Sequence, residues 1–126
     1  MRVAEFRAAL RLFLRRAERA ARASGLTPQR YLLLLMIKGA PNGSEQSTVT
    51  ELAERLQLAQ STVTELVSRA EEVGLVEREP SPADGRVAHL RLTGEGERRL
   101  ARSFASLAAE REQLRLAFVH LDQSWA

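Results

Sequence analysis

The sequence predicts a mainly α-helical domain carrying one small β-hairpin. Three observations predict it. Apolar residues recur at alternating steps of three and four along most of the chain, and helix-capping signatures punctuate those stretches. One pair of strand-like runs flanks the loop-forming segment Pro80-Ser81-Pro82-Ala83-Asp84-Gly85-Arg86. With 126 residues, 44% of them hydrophobic, the chain can build one core of ordinary stability but not two, so residues 1–126 are read as one domain.

From Val3, the residues Phe6, Leu10, Phe13, Ala17 and Ala20 mark one face of an amphipathic first helix, with Arg7, Arg11, Arg15 and Arg22 on other faces. Gly25 ends it. Thr27 followed by Pro28 is an N-cap with a first-turn proline, and it opens a second helix through Tyr31, Leu32, Leu33, Leu34 and Ile37. Being apolar nearly all round, that helix belongs at the centre. Lys38 and Gly39 close it, and Ala40 to Ser47 reads as a loop.

Thr48 and Glu51 have capping-box spacing, so a third helix starts near Val49 and buries Leu52, Ala53 and Leu56. Gln57, Leu58 and Ala59 form a tight turn into a fourth helix, whose inner stripe is Val63, Leu66, Val67 and Ala70. After Gly74, Leu75 to Glu79 and Ala88 to Leu92 read as strands, the second with Ala88, Leu90 and Leu92 inward and His89 and Arg91 outward. Prolines cannot serve inside a ladder and Asp-Gly favours a turn, so the loop between the strands is an exposed, charged wing. Thr93 then caps a long helix with Glu95 and Glu97 near its positive end. Along it Leu100, Phe104, Leu107, Arg111, Leu114, Phe118 and Leu121 form a heptad seam broken only by Arg111. The fold expected is a winged helix-turn-helix over 27–93, with helices over 1–24 and 94–122 that either pair with a second copy or lie across their own domain. On the first reading, Phe6, Leu10, Leu107, Leu114, Phe118 and Leu121 are the dimerisation residues.

Basic residues outnumber acidic ones by 19 to 16, and all but Lys38 are arginine. The net charge of +3 suits an anionic partner and equally follows from GC-rich coding. The 126 residues contain no cysteine, which excludes disulfides, thiolate zinc sites and thiol redox sensing. No stretch approaches the ~20 apolar residues of a membrane span, and arginines interrupt the N-terminal apolar positions where a signal peptide needs a continuous core. A cytoplasmic protein without membrane contact is expected. His89 and His120 are the only histidines, and no nucleotide loop, metal-ligand spacing or paired nucleophile is present, so neither catalysis, a metal nor a cofactor is expected.

Several local strings, in order, resemble the multiple-antibiotic-resistance regulator (MarR) family. Gly25-Leu26-Thr27-Pro28-Gln29 is similar to the approach to its second helix, Thr48 to Leu56 to its first helix-turn-helix element, and Gln60 to Val67 to its recognition helix. Gly74-Leu75-Val76-Glu77-Arg78 is similar to the step into the wing, and Asp84-Gly85-Arg86 with Leu90-Arg91-Leu92-Thr93 and Gly96 to the wing signature. The resemblance implies a dimeric, ligand-responsive regulator, probing double-stranded operator DNA with its fourth helix and its wing. Gln57 departs from the family's usual glycine, Ala59 from its serine cap, for which Ser61 is the substitute one turn later, and Glu65 from a basic or polar residue. Both ends are shorter than is usual in the family, which implies a reduced dimerisation region.

With one stripe of the fourth helix inward, Gln60, Ser61, Thr62, Thr64, Glu65, Ser68 and Arg69 face outward. Gln60 suits bidentate contact with adenine, Thr62 a thymine methyl or phosphate, Glu65 a cytosine amino group, and Arg69 the phosphate backbone. Arg86 fits the minor groove, while Arg78 and Arg91 are phosphate contacts or solvated strand residues. The resemblance implies that Asp84 orients Arg86, although Asp84 serves equally well by bonding its own loop backbone. Family members often bind small aromatic or phenolic effectors between dimer helices and reading head. Phe13, Tyr31 and Phe104 would line such a cleft, or simply fill the core. A winged-helix module for protein contact and a ligand-independent DNA-binding protein are the alternatives.

Overall fold

The computed structural model describes residues 2–121. Its elements are α1 (Arg2–Ala23), α2 (Pro28–Lys38), α3 (Val49–Leu56), α4 (Gln60–Glu72), β1 (Val76–Pro80), β2 (Ala88–Leu92), α5 (Gly94–Ala105) and α6 (Ala108–Val119). The expected residue 122 of the last helix lies outside the described residues. The three predicted caps close the helix starts as expected. Thr27 accepts from the Arg30 amide, Thr93 from that of Gly96, and Thr48 and Glu51 exchange both bonds of a capping box.

α2 is the central element, packed against α1, α3, α4, α5 and β2. Its Leu33, Leu34 and Ile37 are fully buried with Leu52, Val63, Val67, Leu75 and Leu90. Each large side chain removed from water in this way contributes roughly 1.5 to 3 kcal/mol. Leu66, expected inside, is half-buried at the margin of this core.

The hairpin pairs β1 and β2 antiparallel, with Val76 opposite Leu92 and Pro80 opposite Ala88. β1 thus begins one residue later than predicted and takes in Pro80 at its terminal position, where no further ladder bond is required of it. The segment expected as plain loop differs more. It contains a single 3₁₀ turn at Pro41–Gly43, and Ser47 forms an antiparallel bridge with Leu90, through Ser47 N to Leu90 O at 3.1 Å and Leu90 N to Ser47 O at 2.8 Å. Arg55 reinforces it, donating to the Met36 carbonyl at 2.9 Å and to Ser47 Oγ at 2.5 Å.

The single long C-terminal helix is instead two. The break falls at Ser106 and Leu107, where the Ser106 hydroxyl caps the Ser103 carbonyl at 2.9 Å. Leu107, expected in a dimer seam, turns into the chain's own core and is only 3% exposed, so no partner reaches it. α6 packs along α1, bringing the Phe6 and Phe118 rings to 6.0 Å in an edge-to-face arrangement. Leu10, Leu114 and Leu121 are half-buried, whereas Phe118 remains 62% exposed.

Candidate nucleic-acid interface

α3 and α4 meet about the turn 57–59. Gln57 adopts left-handed backbone, φ +56°, which costs a side-chain-bearing residue roughly 1–2 kcal/mol and accounts for glycine being the commoner choice there. Its amide nitrogen Nε2 donates to the Glu54 carbonyl at 2.6 Å. Ala59 is the N-cap of α4 and offers no side-chain bond. Ser61 does not replace it, because α4 already runs from Gln60 and places Ser61 inside the first turn.

Burying Val63, Val67 and Ala70 turns the opposite face of α4 to solvent. Gln60, Ser61, Thr62, Thr64, Glu65 and Arg69 are exposed there and Ser68 is half-buried at the edge. Glu65 and Arg69 pair at 2.7 Å across one helical turn, a contact that Glu-Arg spacing of four residues signals in the sequence. The carboxylate on the reading face is therefore presented together with a guanidinium.

At the wing, Ser81 N bonds Val87 O at 2.8 Å and Val87 N bonds Asp84 O at 3.0 Å, closing the loop. Asp84 does both things considered for it. Its Oδ1 accepts from the Arg86 backbone amide at 3.0 Å, and the carboxylate takes the Arg86 guanidinium at 3.3 and 3.4 Å. These bonds, the amide first, hold the Asp84 carboxyl below the usual carboxylate range, while the Arg86 side chain stays 92% exposed. Arg78 on β1 is paired to Glu71 of α4 at 2.8 Å, and Arg91 on β2 is paired to Glu79. His89, read as a solvated outer-face residue, is half-buried and bonded to Gln46 Oε1 at 3.0 Å.

A separate cleft of about 370 Å³ opens between α1, α2 and the α5–α6 break. Phe13, Tyr31 and Phe104, which the sequence left divided between cleft and core, all line it. Tyr31 is nevertheless buried, and desolvation raises its phenol pKa against the lowering influence of Arg111. Sequence reasoning missed Arg111, which had looked like a mere interruption of the heptads. Its guanidinium carbon lies 3.5 Å over the Phe104 ring centroid and it donates to the Phe104 carbonyl, placing a cation at a mostly apolar cleft whose other charged lining residue is Glu18. No local signal announces this, because the contact depends on the helix break. Among the described residues no cluster of potential metal ligands occurs, and no helix is long and apolar enough to cross a membrane.

Residues 24–87 match the sequence model of the MarR family. No curated protein matches. Among solved structures, a variant of MarR from E. coli complexed with operator DNA is 21% identical, with 86% of this chain and 75% of that one covered and a TM-score of 0.70. A variant of MepR from S. aureus bound to an oligodeoxyribonucleotide is 22% identical over 90% of this chain and 80% of its own, TM-score 0.70. The PcaV transcriptional regulator from Streptomyces coelicolor, in complex with its natural ligand, is 32% identical over 68% of this chain and 58% of its own, TM-score 0.57. Helix-turn-helix, wing and matching sequence converge on one conclusion: the chain belongs to the MarR family of winged-helix, DNA-binding transcription regulators.

Proposed function

We propose that the protein is a cytoplasmic homodimeric repressor that reads an inverted-repeat operator, setting α4 in the major groove and the wing in the flanking minor groove. The observation that carries this reading is the joint presentation of an exposed polar α4 face and an Arg86 held outward by Asp84. Gln60, Ser61, Thr62, Thr64, Glu65 and Ser68 supply base contacts, and Arg69, Arg78 and Arg91 reach phosphates by exchanging their carboxylate partners for the backbone. Arg86 enters the minor groove. The cleft accepts a small aromatic or phenolic effector, its ring between Phe13 and Phe104 and its anionic group toward Arg111. An occupant there wedges apart helices that also carry the reading head.

Selection and sequencing of random duplexes bound by the purified protein tests the reading. The expected product is an inverted repeat with half-site centres about 10 base pairs apart, released from the protein by a simple phenolic acid. Recovery of sequences without two-fold symmetry would sink the dimeric reading, and indifference to phenolic acids the effector.

A further inference from the structure

The charge of this protein is not where its reading head is. Residues 60–93 carry four arginines against six carboxylates, and all four arginines, Arg69, Arg78, Arg86 and Arg91, are paired to neighbouring acids. α1 carries seven arginines against two glutamates, more than the whole chain's net charge of +3. At 3.6 residues per turn, Arg7, Arg11, Arg15, Arg19 and Arg22 fall within an arc of about 120°. Phe6, Phe13, Ala17 and Ala21 occupy the roughly opposite arc, which faces the core and α6.

All five arginines are exposed, and among the described residues none has a carboxylate within ion-pair distance; Glu18 is the one acid inside the arc. Such a row is a linear array of unspent cations about 22 Å long, at 1.5 Å rise per residue. Duplex DNA, with a negative charge every ~1.7 Å of its axis, is the matching linear array. A protein partner fits less well, because the described residues that share the arc with the arginines are Ala4, Ala8 and Glu18, with no aromatic anchor. A bilayer fits less well too, because Phe6, Phe13, Ala17 and Ala21 are turned to the core and α6, which leaves only the scattered Val3, Leu12 and Leu14 exposed on this helix and no continuous apolar face to insert. Nor is this row an extension of the reading head. α2 packs against both α1 and α4 and stands between them.

We propose that the outer face of α1 is a second, sequence-independent duplex site, by which the protein holds one DNA segment at its reading head and another along this arginine row. It rests on the DNA-binding reading only for the first of those segments. The row attracts any duplex electrostatically, and the self-neutralised head then selects among sequences.

The test uses the full chain and a variant, R7Q/R11Q/R15Q/R22Q, in which glutamine retains helix propensity. Fluorescence anisotropy with a random-sequence duplex across a salt series should show the slope of log affinity against log salt flattened by about 3.6 units in the variant, at ~0.9 for each of the four lost cations. In a second arm, protein on a bead-bound selected duplex should capture a fluorescent second duplex, and the variant should remain on the bead but capture none. The all-lysine counterpart keeps the charge and should restore capture. An unchanged slope with unchanged capture overturns the proposal. So does a loss seen only with vesicles of phosphatidylcholine and phosphatidylserine while duplex capture survives. Failure to select any preferred duplex would strike the reading head instead and leave the salt-slope arm intact.

Discussion

Arg86 stands at the tip of a loop whose own hydrogen bonds aim it. Because the bond from the Arg86 amide depresses the Asp84 carboxyl, that group stays ionised well into acid, and the guanidinium keeps its anchor at any pH near neutrality. Arg86→Ala is expected to weaken binding to many sequences together and to flatten the salt slope by about one unit, since one cation is lost. Gln60→Ala should instead cost on the order of 1 to 3 kcal/mol on the preferred site and little on random DNA. Fluorescence anisotropy across a salt series reads both, and an Arg86→Ala protein with unaltered affinity and slope would remove the wing from the interface. At this scale the sequence was legible where the chemistry is local. Asp84 and Arg86 are two residues apart, and the polar residues between Gln60 and Arg69 share the face of α4 opposite Val63 and Val67. It was illegible where partners are distant, as with His89 and Gln46, separated by 43 positions.

Helix starts were readable for the same reason, since each cap satisfies donors within its own first turn. The break between α5 and α6 was not. A spacing of three and four runs through Ser106 and Leu107 without a stop signal, and only the pull of the core on Leu107 decides the matter. Ser47 was hidden likewise, because a bridge to Leu90 belongs to no local pattern. Gly96 shows how such packing constrains an element. A Cβ built there would sit 2.2 Å from the Leu75 carbonyl oxygen, the same oxygen that accepts from Thr93 N at 3.0 Å. Alanine normally improves a helix by up to about 1 kcal/mol over glycine. Here Gly96→Ala is expected to lower stability by about 1–3 kcal/mol as α5 is forced off the strand entrance. Urea unfolding measures the difference, and a gain in stability would show that α5 does not rest on Leu75.

For the whole molecule, the exposed apolar groups gather on the terminal helices, where Phe118, Val119, Leu116, Val3 and Leu14 are each at least 44% exposed. We expect Phe118→Glu to convert a dimer to folded monomers by light scattering. The edge contact with Phe6 is worth only about 0.5–1.5 kcal/mol, too little to unfold the chain, whereas a charge at a shared apolar seam is prohibitive. A variant that stayed dimeric would move the interface elsewhere. The bridge between Ser47 and Leu90 has one more consequence. Ser47 directly precedes the capping box of α3, so the wing base, the helix pair and, through Arg55, the end of α2 form a stiff gauge of fixed jaw width. When a stiff reader meets a compliant duplex, the duplex does the bending. Base steps that yield easily are then favoured between the jaws, and operator preference extends to base pairs that no side chain touches.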